Sequence, residues 1–315
     1  MSLDVHPLGS TGLVVTELCM GTSPLASMPR LYGYDVTDDR AIATIEAVLG
    51  SDIRFIDTSN GYGEHGEAEN RIGRALAAHI GGREDLVLAT KVDPDPLTGD
   101  FSGKRVLDSY RESLDRLGVD RVPLLYLHDP ERIRFEEGVA TGGPVEALVR
   151  LRDEGRVDHI GVAGGPVDLM DLYLGTGEFE VVLSHNRYTL LDRSAKELFR
   201  SARDRGIGVV NAAPYGGGML AKGADVQAKY GYGERDDGIA EAARAMVAAC
   251  ARYDVPLAAA ALQFSLRAPF VDSTVVGMSS PERVEQTVQY VAQEIPDDLW
   301  AELETLVPSS EHWLN

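Results

Sequence analysis

Asp57, Lys91 and His128 each end a short apolar segment of the sequence, and Tyr62 follows Asp57 on a loop between two glycines. These four residue types suit proton transfer at a carbonyl or an alcohol. A free tyrosine has a pKa of about 10, and an adjacent ammonium lowers that pKa because it favours the phenolate. A carboxylate keeps the lysine charged, and a histidine donates a hydrogen bond to a substrate oxygen or shares the tyrosine's proton.

Each of these side chains taken alone also has a structural interpretation. An aspartate at a strand end commonly caps a helix or pairs with a cation, and a single histidine is more often a structural residue than a catalyst. Lys91 can lay its stem along apolar surface. The catalytic interpretation therefore depends on whether the fold brings the four residues together.

Short apolar segments alternate with amphipathic helical patterns along the whole chain. Eight candidate strands cover residues 17–21, 54–58, 86–92, 123–128, 159–163, 181–185, 208–212 and 274–277. Seven candidate helices, with apolar residues three and four apart, cover residues 38–49, 67–79, 103–117, 144–154, 166–173, 194–205 and 238–253. Before them, residues 6–16 predict a β-hairpin whose turn is Ser-Thr-Gly.

Strands that alternate with helices predict a parallel sheet with crossover connections, and their continuous apolar character fits strands covered on both faces. We expect a closed (β/α)8 TIM barrel after the hairpin rather than an open doubly wound sheet. No Pro/Ser-rich linker divides the chain, so residues 1–315 are interpreted as one domain. Neighbouring strand ends of a barrel lie side by side, which predicts that Asp57, Lys91 and His128 converge beneath Tyr62.

Two segments, 23–37 and 216–237, are longer than the repeat requires. In a barrel both follow the carboxyl ends of strands, where active sites form, although long loops are also tolerated as insertions. Their aromatic residues, with one more near the end of the chain, are candidate pocket walls: Tyr32, Tyr34, Tyr230, Tyr232 and Trp313.

Composition and motifs exclude several classes of function. The 315 residues carry a net charge of −20, which argues against a nucleic-acid surface and against binding to an anionic membrane. Cys19 and Cys250 are far apart and no signal segment opens the chain, so we expect a reduced, cytoplasmic protein. The longest apolar run, 255–264, is too short to span a bilayer. The sequence contains no Rossmann, P-loop or Gly-x-Ser-x-Gly motif, and its histidines lack metal-ligand spacing.

With these residues in place, the sequence resembles the aldo-keto reductase family over nearly its whole length. Residues 57–63, Asp-Thr-Ser-Asn-Gly-Tyr-Gly, are similar to its most specific signature, together with Glu69 and the Ile-Gly pair at 72–73. Residues 7–15, 86–91 and 125–130 resemble its hairpin and its third- and fourth-strand motifs. The resemblance implies that Tyr62 is the general acid/base, that Asp57 and Lys91 tune it, and that His128 orients the substrate carbonyl. It also implies hydride transfer between a nicotinamide cofactor and a carbonyl or alcohol.

Residues 127–130 and 185–192 resemble the branch that contains aldose 1-dehydrogenases, fucose dehydrogenases and pyridoxal-oxidising enzymes. That branch implies a small-molecule carbonyl or sugar as substrate, either a sugar lactol or a small ring alcohol. Two alternatives stay open: a catalytically silent NAD(P)H-binding sensor or accessory subunit, and a metal-dependent barrel hydrolase.

The resemblance also implies a cofactor held across the barrel mouth. The implied cofactor-binding positions are Gly21, Thr22, Ala163, Gly164, His185, Ala213, Pro214, Tyr215, Gly216, Gly218, Gly277, Met278, Ser279, Arg283 and Gln286. On the nicotinamide side, Ala163 and Gly164 replace a Ser-Asn pair, His185 replaces a glutamine, and Ala212 replaces a stacking tyrosine. The glycine-rich loop and the helix start suit phosphates. Arg283 matches a position that meets the adenosine 2′-phosphate and so favours NADP(H) over NAD(H); its other interpretation is an ordinary solvated helix residue.

Overall fold

In the computed structural model, which describes residues 2–79, 85–231, 233 and 236–314, eight parallel strands close into a barrel. The barrel strands are β3 (Leu18–Gly21), β4 (Phe55–Asp57), β5 (Val87–Val92), β6 (Val122–His128), β7 (Val157–Gly164), β8 (Val181–His185), β9 (Gly208–Ala212) and β10 (Ser273–Gly277). They pair in sequence order, and β10 closes the ring between β9 and β3. An antiparallel hairpin of β1 (Val5–Pro7) and β2 (Val14–Thr16) precedes them. The predicted (β/α)8 barrel and its N-terminal hairpin are confirmed.

The strands differ from the predicted segments only at their ends. Strands β8 and β9 have the predicted bounds, whereas β4 is shorter and β7 is longer. Strand β7 begins earlier than predicted because Val157 pairs with Val122 of β6. Pairing with a neighbour therefore sets the strand ends, and a local apolar pattern does not display that pairing.

Two apolar layers explain the continuous apolar character of the strands, because successive strand residues point to opposite faces. Phe55 and Leu124 point inward and are fully buried in the cluster that fills the barrel. Ile56 and Leu125, the next residues along, belong to the larger cluster between barrel and helices. Both faces of each strand are thus covered, which leaves the strand ends as the place for polar chemistry.

Helices surround the barrel. They are α1 (Pro29–Tyr32), α2 (Asp38–Leu49), α3 (Glu67–Ala78), α4 (Gly103–Leu117), α5 (Phe135–Gly138), α6 (Pro144–Asp153), α7 (Val167–Gly175), α8 (Lys196–Asp204), α9 (Met219–Lys222), α10 (Asp237–Arg252), α11 (Leu257–Leu266), α12 (Pro281–Ala292) and α13 (Asp297–Thr305). The seven predicted helices are confirmed with small shifts at their ends. Helix α11 was not predicted as a helix, because most of its residues are buried and it lacks a polar face. Within the described chain no single helix is long and apolar enough to cross a membrane; α10 and α11, bent by 101°, meet that criterion only as a pair.

The hairpin closes the amino end of the barrel. Leu8 is fully buried and lies against Gly208 at the start of β9, where a Cβ would come within 2.8 Å of the Leu8 side chain. Asp272, just before β10, accepts hydrogen bonds from Gly9 N at 3.1 Å and from Val209 N at 2.9 Å. The carboxyl ends of the strands form the opposite face, where the long loops after β3 and β9 emerge.

Those two long loops contact each other. Lys222 Nζ of α9 lies 5.9 Å from the centroid of the Tyr34 ring. Tyr230 is only 2% exposed, and its hydroxyl donates to Asn186 O at 2.7 Å. Tyr230 is therefore part of the loop packing, so its prediction as a pocket wall was wrong. Tyr232 lies outside the described residues.

Candidate active site

Lys91 is the centre of the candidate active site. Its Nζ donates to Asp57 Oδ2 at 2.5 Å, to the Thr58 carbonyl at 2.7 Å and to the Tyr62 hydroxyl at 3.4 Å. The ammonium also lies 4.9 Å from the centroid of the Tyr62 ring. The fold therefore brings three of the predicted catalytic residues together at the ends of β4 and β5.

The Asp57–Lys91 pair is almost completely removed from water, with Lys91 1% exposed and Asp57 3% exposed. Burial raises the pKa of the Asp57 carboxyl, and the Lys91 ammonium opposes that rise through its charge and its hydrogen bond. The pair holds a positive charge in a fixed place beside the Tyr62 phenol. Such a charge favours the phenolate, so Tyr62 is suited to exchange a proton with a substrate oxygen.

Close contacts at two glycines fix the loop that carries Tyr62. A Cβ at Gly61 would lie 2.7 Å from Asp93 Cγ, and the Gly61 N–H donates to Asp93 Oδ2 at 2.7 Å. Gly63 has a φ of 98°, a conformation that favours glycine, and a Cβ there would meet the Glu67 carboxylate. These contacts explain why a tyrosine at this position stands between two glycines.

Two polar residues close to Tyr62 in the sequence, Asn60 and Glu69, support the site through hydrogen bonds instead of facing it. Asn60 Oδ1 accepts a hydrogen bond from Arg105 at 3.1 Å. Glu69 is fully buried and accepts from Thr90 at 2.6 Å and from Arg116 at 3.2 Å. Because Thr90 directly precedes Lys91, this buried network positions β5 at the point where the lysine emerges.

His128 ends β6 beside these residues, and its ring stands edge-on to the Tyr62 ring with centroids 5.6 Å apart. Its Nδ1 lies 2.7 Å from Asp93 Oδ1 and 3.0 Å from Ser59 Oγ. Burial opposes a charge on the ring, but the Asp93 and Asp129 carboxylates outweigh burial and raise the pKa of His128. His128 therefore keeps a positive charge to higher pH than a free histidine does.

Asp93 and Ser59 were not among the predicted site residues, although strand periodicity points to both. Residues two apart on a strand share a face, so Ser59 follows Asp57, and Asp93 follows Lys91, toward the same side. Burial favours the neutral acid at Asp93, but hydrogen bonds and the His128 charge lower the pKa of Asp93 to about 2. Asp93 is thus ionised at physiological pH, against the histidine ring.

Three more ionisable side chains face one another at the barrel mouth: Asp129, Glu131 and His185. One carboxylate oxygen from each acid and one ring nitrogen of the histidine all lie within 4.8 Å of one another. Asp129 Oδ1 lies 3.6 Å from His128 Nε2. Burial lowers the pKa of His185 to about 4, so its ring is neutral at physiological pH. Asn186 Nδ2 donates to His185 Nδ1 at 3.1 Å, which leaves the ring proton on Nε2. The cluster offers two carboxylate acceptors and one donor, a set that suits hydroxyl groups.

The predicted departures on the nicotinamide side lie at three strand ends: Ala163 and Gly164 at the end of β7, His185 at the end of β8 and Ala212 at the end of β9. Ala163 is buried. A Cβ at Gly164 would lie 2.8 Å from Glu131 Oε2, and a Cβ at Gly165 would lie 2.6 Å from Arg187 Nη1. Two charged side chains therefore approach a strand end that has no polar side chain of its own.

The ends of β3 and β10 lie side by side, because Gly21 pairs with Gly277. The N–H of Met278, which is buried, donates to Gly21 O at 3.4 Å. Thr22 donates to the Asp57 carbonyl from its N–H at 3.1 Å and from its hydroxyl at 3.0 Å. The Thr22 side chain thus links β3 to β4.

The loop after β9 is folded tightly on itself. Ala213, Gly216 and Gly218 have φ values of 55°, 55° and 99°. The Gly216 N–H donates to Ala213 O and the Gly218 N–H donates to Tyr215 O, both at 3.0 Å, and Pro214 has no N–H. These backbone groups are therefore used within the loop instead of pointing at a phosphate. Among the described residues, the buried Tyr215 hydroxyl has no hydrogen-bond partner.

Helix α12 begins shortly after β10 and suits an anionic ligand. Ser279 precedes its cap residue Ser280, whose Oγ accepts a hydrogen bond from Arg283 N at 3.4 Å. Arg283 is exposed in the first turn, and its guanidinium donates to Gln286 Oε1. A helix N-terminus with an exposed arginine favours a phosphate, and the unpartnered Tyr215 hydroxyl nearby is a further donor. These residues fit the phosphate end of a dinucleotide.

Comparison with known proteins agrees with this geometry. The sequence profile of the aldo/keto reductase family matches residues 17–308. A D-threo-aldose 1-dehydrogenase from a Pseudomonas species is 33% identical over 96% of this chain and 97% of that protein. An L-galactose dehydrogenase from Arabidopsis thaliana is 33% identical over 92% of this chain and 89% of that protein. A pyridoxal 4-dehydrogenase from Microbacterium luteolum is 32% identical over 94% of this chain and 95% of that protein.

A solved structure supports the fold. An aldo-keto reductase from Bacillus halodurans, in its holo form, has a TM-score of 0.80 and 24% sequence identity with this chain. The similarity covers 98% of this chain and 97% of that one. The whole barrel therefore has the same architecture in both chains.

Proposed function

The chain belongs to the aldo/keto reductase family, and from that membership we propose that Tyr62 is the general acid/base of its reaction. The protein is an oxidoreductase that acts on CH–OH and C=O groups with a nicotinamide cofactor. The observation that carries the proposal is the position of the Lys91 ammonium, 3.4 Å from the Tyr62 hydroxyl and 2.5 Å from the Asp57 carboxylate.

The proposed mechanism assigns a task to each side chain. When it is bound, the nicotinamide cofactor supplies the chemistry of hydride transfer. In reduction Tyr62 donates its proton to the carbonyl oxygen, and Lys91 stabilises the phenolate that remains. In oxidation the Tyr62 phenolate removes the hydroxyl proton. His128 donates a hydrogen bond to the same substrate oxygen and stabilises negative charge on it.

For the cofactor, we propose that the start of α12 holds the phosphates, with the Tyr215 hydroxyl of the loop after β9 as a further donor. Arg283 lies in the first turn of α12 and is free to meet solvent, which supports NADP(H) over NAD(H). A 2′-phosphate beside an arginine gains a charge-assisted hydrogen bond that the 2′-hydroxyl of NAD(H) cannot match.

For the substrate, we propose a sugar lactol or a small ring alcohol. Two of the relatives are named for aldose and galactose oxidation and one for pyridoxal oxidation. The cluster of Asp129, Glu131 and His185 at the barrel mouth supports a hydroxyl-bearing ring, because carboxylates accept hydrogen bonds from hydroxyl groups.

The test is Tyr62→Phe, which removes the exchangeable proton and keeps the ring. Turnover should fall by about 10²- to 10⁴-fold, the usual contribution of a general acid/base. Binding of NADPH, followed by its fluorescence, should be unchanged. Tyr253→Phe, at the end of α10 and away from the site, is the matched control and should keep full turnover.

Undiminished turnover in Tyr62→Phe would refute the assignment. A wild-type protein that binds NADPH yet turns over no aldehyde, sugar or ring alcohol with either cofactor would instead identify a silent sensor. Running the substrate panel with both NAD⁺ and NADP⁺ separates these outcomes.

A further inference from the structure

We propose that Asp93 is a positioning residue: it keeps a proton on His128 Nδ1, so that Nε2, the ring atom that contacts the substrate oxygen, is the only one that titrates. The inference rests on the proposed function of the same site. Neither the predicted catalytic set nor the family signature at residues 57–63 includes Asp93.

The hydrogen bonds around Asp93 determine which atom carries the proton. Asp93 is 4% exposed, and its Oδ1 lies 2.7 Å from His128 Nδ1. Its Oδ2 accepts from the Gly61 N–H at 2.7 Å and from the Ser59 hydroxyl. An ionised carboxylate can only accept hydrogen bonds. Nδ1 must therefore be protonated, in the neutral ring as well as in the imidazolium.

This arrangement gives Nε2 two states. With Nε2 protonated the ring is an imidazolium and donates to a carbonyl oxygen, which favours reduction. With Nε2 bare the ring accepts a hydrogen bond from a substrate hydroxyl. The proton of the overall reaction still moves between Tyr62 and the substrate oxygen, and His128 exchanges its own proton with water.

The charged groups around His128 favour the imidazolium state. Asp93 faces Nδ1 from the end of β5, and Asp129 Oδ1 lies 3.6 Å from Nε2. Lys91 on β5 opposes the ring charge. His185 on β8 is neutral at physiological pH, and the Tyr62 ring faces the imidazole from the loop after β4. The two carboxylates outweigh burial and Lys91, which is why the pKa of His128 is raised.

Asp93→Asn should reverse the tautomer. The Gly61 N–H and the Ser59 hydroxyl both donate to Oδ2, so the asparagine oxygen takes that place and its NH₂ faces His128 Nδ1. The amide donates to Nδ1, which must then be bare, and the ring proton moves to Nε2. The lost negative charge also makes the imidazolium less favourable, so the midpoint of the His128 titration should fall by about one pH unit or more.

The experiment is an NMR titration of protein labelled with ¹⁵N in its seven histidines. The His128 signals are assigned by their absence in His128→Gln. In the wild type, above the titration midpoint, ¹⁵N shifts should show the proton on Nδ1. In Asp93→Asn they should show it on Nε2, with the lower midpoint. Asp115→Asn, an exposed carboxylate on α4 that removes the same charge, should titrate like the wild type.

The pH profile of reduction supplies the kinetic readout. In the wild type the fraction of His128 with a proton on Nε2 falls tenfold for each pH unit above the midpoint, so kcat/KM should decline with pH there. In Asp93→Asn the neutral ring also carries its proton on Nε2, so this alkaline limb should flatten. NADPH affinity should stay unchanged. A merely structural role for Asp93 would lower kcat/KM at every pH and leave the slope of the alkaline limb unchanged.

Two results would overturn the inference. One is a neutral wild-type His128 whose proton sits on Nε2, a measurement that requires no variant to fold. The other is an Asp93→Asn protein whose His128 titrates as in the wild type. Because the NMR readout needs no turnover, it tests Asp93 even where Tyr62→Phe refutes the catalytic assignment.

Discussion

Replacing Lys91 by methionine should destabilise the protein far more than removing Lys91 and its partner together. Lys91 is 1% exposed, and its ammonium donates to Asp57, which is 3% exposed. Methionine keeps a stem of similar length but leaves a buried carboxylate without its cation. Breaking a buried ion pair from one side costs about 3–5 kcal/mol of the free energy of unfolding. In Asp57→Asn with Lys91→Met no charge is buried, so most of that loss should be recovered.

The loss in Lys91→Met should grow as the pH rises. Burial raises the pKa of Asp57 in the folded protein, and the variant lacks the ammonium that opposes this rise. In the unfolded chain an aspartate has a pKa of about 3.9. Between these two values the folded state binds a proton that the unfolded state does not, so stability falls as the pH rises through this interval. The double variant has no carboxyl at this position and should lack the effect.

Urea unfolding followed by the fluorescence of Trp300 and Trp313 measures these differences. We expect the midpoint to fall in the order wild type, double variant, Lys91→Met, with the widest gap between the two variants at pH 8 and a narrower one at pH 5. Lys104→Met is the matched control, since it breaks an exposed lysine–aspartate pair on α4 and should change the midpoint little. Equal midpoints for the single and double variants, or a Lys91→Met protein that becomes more stable as the pH rises, would refute the reasoning.

Three further variants test other contacts. Arg283→Ala should weaken NADPH binding by about tenfold or more, which is the value of one charge-assisted hydrogen bond, and should leave NADH binding unchanged. If fluorescence titrations show the same loss of affinity for NADPH and NADH, the support for NADP(H) is removed. Gly161→Ala should lower the thermal unfolding temperature, because its Cβ would lie 2.6 Å from the Tyr126 ring inside the barrel; an unchanged temperature in calorimetry contradicts that packing. Asn186→Gly is compatible with the φ of 61° at this position and removes the side chain that donates to His185 Nδ1. The pKa of His185 should therefore rise from about 4 in an NMR titration, and an unchanged pKa would exclude this hydrogen bond.

The barrel could be predicted because each repeat carries its own local signal, an apolar run followed by an amphipathic helix. The features that could not be predicted depend on neighbours distant in sequence. Helix α11 is buried and so has no polar face to reveal its period. In the sequence Tyr230 is simply an aromatic residue of a long loop, yet its hydroxyl donates to the carbonyl of Asn186, which lies 44 positions earlier in the chain. The Thr22 hydroxyl likewise donates to the Asp57 carbonyl, a contact that arises because β3 pairs with β4.

The site has two levels, because successive residues of β4 and β5 point to opposite faces and residues two apart share a face. Asp57 and Lys91 form the lower level, and continuing each strand by two residues brings Ser59 and Asp93 to the upper level, where they meet His128. Each level pairs one buried carboxylate with one cation, and both cations lie beside Tyr62. Because Asp57 hydrogen-bonds to Lys91 and Asp93 to His128, Asp57→Asn should act mainly through the lysine charge and Asp93→Asn mainly through the histidine proton. Of these residues only Asp93 lies outside the segments that resemble family motifs, 57–63, 86–91 and 125–130, so Asp93 is where this chain can adjust its pH dependence while keeping Tyr62 as the proposed proton donor.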